Sequence, residues 1–234
     1  MGRTARRWLV GEGTVHHCTW QAHNHSRIFE LAGAPELYLS LLAKYKGKYG
    51  ILIHSFCIMT THVHVQLKAT RGQAAFSGFW RDVNSVFARW YNEQTERCGQ
   101  VVMERLYSGQ VETGGEAPLL VSGYGDRNPV MAGMVRSAKD YAYSSHRHYA
   151  YGERHPLIDD LPEYLALGKT DVTRRKKYQA LCADQEGKAK QRRKAQAEER
   201  REDLVRATYI GTDAWAKRRR AALKRKKKRK NPPS

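Results

Sequence analysis

His62 and His64 sit one residue apart in MTTHVHVQL, residues 59–67. In a β-strand, residues i and i+2 point to the same face. The spacing therefore puts both imidazoles and Gln66 on one face, and Val63, Val65 and Leu67 on the other, core-facing side. Two imidazoles about 7 Å apart along a strand can converge on one ion. Imidazole suits borderline cations such as zinc, manganese or nickel. Two histidines leave such a site incomplete, so a third ligand must come from elsewhere in the chain. Read alone, the pair also fits two surface histidines on a half-exposed strand.

A second constellation lies in YGDRNPV, residues 124–130. Tyr124 and Asn128 are four apart and share a face if the stretch is helical. Pro129 then falls where the helix ends or kinks. A phenol is a weak nucleophile at its free pKa of about 10. A metal that polarises a phosphodiester would offset that weakness by stabilising the developing charge. An Asn carbonyl one turn away could complete the ion's shell. The other reading is a tyrosine packed at a helix end beside an Asn-Pro turn.

Two further stretches have the composition of a nucleic-acid surface. Tyr141, Tyr143, His146, Arg147, His148, Tyr149 and Tyr151 interleave aromatic and basic groups, as grooves that hold single strands do. From it Tyr143, Arg147 and His148 are taken as candidate DNA contacts; an aromatic segment packed on a sheet is the alternative. Residues 217–230 hold eleven Lys or Arg in fourteen positions, including Lys217, Arg218, Arg219, Arg220, Lys224, Arg225 and Lys226. Like-charge blocks are usually disordered and often bind nucleic acid. Phosphate contacts of this kind add affinity without choosing sequence.

The elements that must position these groups are legible around them. Residues 14–22 read as a strand. Residues 35–49 read as a helix, with Pro35 at its first position and glycines at its end. Residues 51–59 read as a strand apolar on both faces, which suits a central strand. The segment 61–67 continues in strand rhythm. Phe76, Trp80, Val83, Phe87 and Trp90 mark the strongest helix, over 74–94. After about residue 160 the chain turns charged and helix-prone.

Composition narrows the partners. The chain has 234 residues, with Lys+Arg 42 against Asp+Glu 23 and a formal net charge of +19. That excess points to a polyanion, nucleic acid before anionic membrane. Cys18, Cys57, Cys98 and Cys182 form no CxxC pair, which argues against a disulfide framework or a cysteine zinc site and fits a reducing cytoplasm. There is neither a signal-peptide pattern nor an apolar run long enough to span a membrane, so no membrane association is expected.

HVHV after an apolar strand, RWYN at 89–92, YGDRNPVMAGMV at 124–135 and DYAYSSHRHYAYG at 140–152 occur in that order. Together they resemble the IS200-like and REP-associated tyrosine transposases, the single-tyrosine His-hydrophobe-His nucleases, over about residues 14–156. The resemblance implies an α+β, ferredoxin-like antiparallel sheet with helices packed on one face. Residues 14–156 would form the catalytic domain, 157–216 a charged helical extension, and 217–234 a basic helical or disordered tail. It implies metal-dependent cleavage and rejoining of single-stranded DNA through a 5′-phosphotyrosine. Tyr124 matches the nucleophile; His62, His64 and Asn128 match the ligands of a divalent metal, typically Mg or Mn. Hairpin-flanked single-stranded DNA is the implied partner, a homodimer is compatible with the family, and the setting is a bacterial cytoplasm at the nucleoid.

The chain departs from the family at Thr60 and Thr61, where Pro-Asn is usual, at Gly123 and Gly125 around the tyrosine, and at Tyr143 in place of the Trp of Trp-Ser-Ser. Two helical glycines cost roughly 2 kcal/mol against alanine. These departures leave open a catalytically inert DNA-binding or regulatory module on the same fold. A basic RNA-associated protein with incidental histidines is the remaining rival.

Overall fold

The computed structural model describes residues 5–103, 106–195 and 208–230. Among these residues five strands form one sheet: β1 (Thr14–Gln21), β2 (Ile51–Ile58), β3 (His62–Ala69), β4 (Tyr107–Val111) and β5 (Tyr209–Ile210), in the order β2-β3-β1-β4-β5. The first four pair antiparallel, whereas β5 runs parallel to β4. Helix α1 (Arg6–Leu9) precedes β1. Helix α2 (Ala34–Tyr49) links β1 to β2, and α3 (Gly72–Gln94) links β3 to β4. This β-α-β-β-α-β path with the order β2-β3-β1-β4 is ferredoxin-like.

Helices α2 and α3 pack on one face of the sheet. Pro35 lies in the first turn of α2 and Gly50 caps its end at φ 60°, a left-handed conformation that glycine adopts without strain. Tyr38, Leu41 and Leu42 of α2 and Phe76, Phe79, Trp80, Val83 and Phe87 of α3 meet Cys18, Trp20, Val63, Val65 and Leu67 of the sheet. The Trp20 indole donates to Tyr38 Oη at 2.7 Å, and Tyr38 donates to Asn84 Oδ1 at 2.9 Å. The polar ends of the two rings are thus satisfied inside the apolar core.

The apolar strand β2 is not central. It lies at the sheet's edge, yet all its residues but Leu52 are buried. Later segments cover its outer edge. Ile58 N–H donates to Tyr143 O and Ser145 N–H to Phe56 O, each at 2.9 Å, and Asp159 N–H donates to Ile53 O at 2.7 Å. A shielded edge looks in sequence like an interior strand, because both are dry on two faces.

Helix α4 (Ala117–Met131) lies on the opposite face of the sheet, and α5 (His146–Tyr151), α6 (Pro162–Leu165) and α7 (Asp171–Ala195) gather beside it. Leu119 of α4 shares a small core with Tyr149, Leu161, Tyr164, Tyr178 and Cys182, so the start of the charged extension is packed. The basic block is helical over its described part, forming most of α8 (Asp213–Lys230). Leu9, Tyr209 and Ala216 tie α8 to β5 and α1. Residues 196–207 of the extension and 231–234 of the tail lie outside the described residues. No helix among the described residues is long and apolar enough to cross a membrane.

Candidate metal and nucleophile site

The β1–β3 register pairs His62 with Gln21, His64 with Thr19 and Gln66 with His17. The β2–β3 register adds Cys57 opposite His64 and Ser55 opposite Gln66. Directly paired residues project to one side of a sheet. One face therefore gathers His17, Thr19, Gln21, Ser55, Cys57, His62, His64 and Gln66, while the residues between them build the α2/α3 core. The alternation expected for THVHVQL is what the strand adopts.

Helix α4 covers this polar face. Ser122 donates to Gln66 Oε1 at 2.9 Å and Ser55 donates to the same oxygen at 3.3 Å, which ties the helix to β3 beside His64. Tyr124 presents its ring edge-on to His64, with centroids 5.7 Å apart, and to His17 at 6.2 Å. The His62 and His64 rings meet edge-to-face at 4.9 Å. Asn128 follows Tyr124 by one turn of the same helix. The fold thus brings the strand pair and Tyr124 together, with Asn128 one turn further along the same helix.

The electrostatics favour neutral imidazoles. Burial holds His64 well below the ordinary imidazole value, and the neighbouring His62 and His17 push the same way. His62 is lowered to about 4 by burial, with His25 adding to it. A neutral imidazole can ligate a cation, whereas an imidazolium cannot.

These residues fit a divalent cation on donor chemistry. His64 Nδ1 is 3.1 Å from His17 Nε2, so one ring nitrogen is held by a neighbour while Nε2 is buried with no partner among the described residues. That orients the ring through Nδ1 and leaves Nε2 to face a ligand. Asn128 Nδ2 is likewise buried with no partner among the described residues; turning the amide over brings its oxygen to the same place. His62 Nδ1 lies 3.0 Å from Thr61 Oγ1, so Thr61 orients the first histidine of the pair.

A separate group, Asp126, His146 and Cys182, is buried on the side of α4 that faces α5 and α7, with ligand atoms within 4.8 Å of one another, and could also hold a metal ion. In this group Asp126 Oδ1 accepts from Ser145 Oγ at 3.0 Å. Asp126 Oδ2 accepts from Tyr178 Oη at 2.8 Å and faces His146 Nδ1 at 3.2 Å.

The other residues singled out in sequence lie elsewhere. Tyr143 donates to Glu36 at the start of α2. Arg147 Nε donates to Lys139 O at 2.7 Å. His148 is 6% exposed; its Nε2 meets Asp160 Oδ1 at 2.7 Å and its Nδ1 accepts from His155 N–H at 3.1 Å. With both nitrogens engaged, His148 is an internal tie and not a surface for DNA. On α8, Lys217, Arg218, Arg220, Lys224, Arg225 and Lys226 are exposed, while Arg219 turns inward to Gln110 Oε1 at 3.1 and 2.8 Å. The residue that sequence reasoning missed is His17. The pair His16-His17 within a predicted strand hinted that one imidazole must point to each face, but only the pairing of β1 with β3 shows which histidine it meets.

A solved structure of a REP-associated tyrosine transposase bound to a REP hairpin is similar to this chain, with a TM-score of 0.53 and 17% identity, covering 68% of this chain and 91% of that one. At that identity the similarity shows a shared fold. No protein-family model and no curated relative matches the chain.

Proposed function

We propose that the protein is a metal-dependent single-stranded DNA endonuclease and strand transferase with Tyr124 as nucleophile. The observation that carries this reading is the placement of Tyr124 on α4 against His64, with His62 beside it on β3 and Asn128 one turn along the helix. His62, His64 and Asn128 would hold a Mg or Mn ion, which when bound polarises the scissile phosphate and neutralises its charge. Tyr124 Oη attacks phosphorus in line, a bond forms to the 5′-phosphate, and the 3′-oxygen leaves and takes up a proton. The phenol proton is lost to solvent or a neighbouring base. Reversal by a 3′-OH rejoins the strand, so transfer is split into two balanced steps. His17 supports the geometry by holding His64 Nδ1.

The substrate in this reading is hairpin-flanked single-stranded DNA, by analogy with the hairpin bound in the similar structure. The exposed cations of α8 supply phosphate contacts, with Tyr143 and Arg147 as further contacts. The setting is the cytoplasm, at the nucleoid. The test is covalent capture. Labelled hairpin-flanked DNA, protein and Mn or Mg are incubated and run on a denaturing gel beside Tyr124→Phe. An adduct that needs metal and disappears in the variant supports the proposal. An adduct that survives in the variant assigns the nucleophile elsewhere. Tight DNA binding with no adduct favours the inert module, the reading that Gly123 and Gly125 beside the tyrosine would suit.

A further inference from the structure

Helix α4 is poorly built to hold its own shape. It contains Gly123 and Gly125, and Pro129 near its C-terminal end. Each glycine costs about 1 kcal/mol against alanine, and the proline removes an intrahelical hydrogen bond. A short helix of this composition takes its position from tertiary contacts. Two sets of contacts are available. On the sheet side, Ser122 bonds to Gln66. On the other side, Asp126 projects about 200° around the helix from Tyr124 and is fully buried.

A buried carboxylate is stable only when its lone pairs are filled. Asp126 meets three donors from two other helices and their flanks: Ser145 at 3.0 Å, His146 at 3.2 Å and Tyr178 at 2.8 Å. Ser145 is in turn fastened to the edge strand, since its N–H donates to Phe56 O at 2.9 Å. Tyr178 packs against Tyr149 in a tilted contact and against Tyr164 edge-to-face, at centroid distances of 5.3 and 5.9 Å. Burial raises the Tyr178 phenol well above its ordinary value, so it remains a proton donor. The carboxylate therefore joins the nucleophile's helix to β2 through Ser145 and to α7 through Tyr178.

We infer that Asp126 is a positioning residue: its contacts with Ser145, His146 and Tyr178 lock α4 so that Tyr124 stays aligned with His62 and His64. The inference rests on the nuclease reading. It also assigns a task to α7, whose Tyr178 holds the nucleophile's helix from outside the ferredoxin-like core. A misplacement of about 1 Å in a reacting group can slow chemistry about a hundredfold, so a modest loosening of α4 has a large readout.

The experiment compares wild type, Asp126→Asn and Tyr178→Phe in the full chain. Both changes keep side-chain shape while weakening the lock. Circular dichroism checks that each variant is folded. Hairpin-DNA affinity and the single-turnover rate of adduct formation at saturating DNA are then measured separately, with amide hydrogen exchange over 121–131. The expected result is unchanged DNA affinity, an adduct rate about ten- to a hundredfold lower, and faster exchange in α4. A wild-type rate with wild-type exchange overturns the inference. So does stoichiometric zinc in the purified protein that Cys182→Ala removes, because Asp126 would then serve an ion. If wild type itself forms no adduct, the nuclease reading fails. The exchange data then judge the lock alone: faster exchange in the variants keeps it, and unchanged exchange removes it.

Discussion

His16 offers a sharp test of the fold, because its imidazole is placed where a proton is unwelcome. The side chain is fully buried on the α2/α3 side of β1, with its ring 5.5 Å from Phe76 and one nitrogen 2.9 Å from Thr14 Oγ1. Burial, with Arg219 of α8 adding repulsion, lowers its pKa to about 3 from 6.5. The unfolded chain then binds a proton that the folded chain refuses. Stability is intact above the unfolded value; it falls as pH drops below about 6.5 and stops falling only near the folded value. Each pH unit inside that window removes up to about 1.4 kcal/mol. Between about pH 7 and pH 5 the loss is about 2 kcal/mol, whatever the folded value below about 4. His16→Leu removes the proton site and keeps an apolar side chain of similar size. Urea unfolding at a series of pH values should give a stability difference, variant minus wild type, that moves by about 2 kcal/mol in favour of the variant from neutral to about pH 5. A difference that stays flat across that range would refute the placement of His16.

At the site, His17→Phe keeps a ring against Tyr124 but removes the partner of His64 Nδ1, and calorimetric Mn titration should show affinity about 10–100-fold weaker; unchanged affinity would mean His17 does not orient the ligand. Gly125→Ala should stabilise the protein by about 1 kcal/mol, since the added Cβ would stand 3.9 Å from Cys57 Cβ in ordinary contact. Gly50→Ala should do the opposite in the same urea assay, because its φ is +60° and the Cβ would meet Thr70 and Arg71 side chains at 2.6 to 2.8 Å. Replacing Lys217, Arg218, Arg220 and Lys224 with Gln should flatten the salt dependence of single-stranded DNA binding by about 0.7 in log-log slope for each phosphate no longer neutralised. An unaltered slope would place the DNA on another surface.

The shared faces of the candidate residues were legible because they depend on short-range periodicity. Alternation in 62–67 put the two histidines and Gln66 on one face, and a four-residue step put Tyr124 and Asn128 together once the stretch is helical. The partnership of His17 with His64 was not legible, since it depends on strand register between segments 47 residues apart. Strand β2 misled for a related reason. Its apolar faces record dryness, and Tyr143, Ser145 and Asp159 supply the dryness that a neighbouring strand would have given. His148 misled because aromatic and basic interleaving describes both a DNA groove and a buried polar tie. Only the positions of Asp160 and the His155 amide decide between them. The residues around Asp126 come from two other helical segments, and no local pattern announces their meeting.

The pairing of β5 with β4, and the two bonds from Arg219 to Gln110, have a directional consequence. Charge on a loose chain attracts a polyanion but leaves it free to swing. The cations of α8 instead stand on a rod whose first turns are stitched to the sheet, so their bearing relative to His62, His64 and Tyr124 is fixed before any encounter. Under the proposed function, a strand that settled along this rod would give up part of its rotational freedom on first contact. Its heading toward the face that carries Tyr124 would then be set by the same residues that capture it.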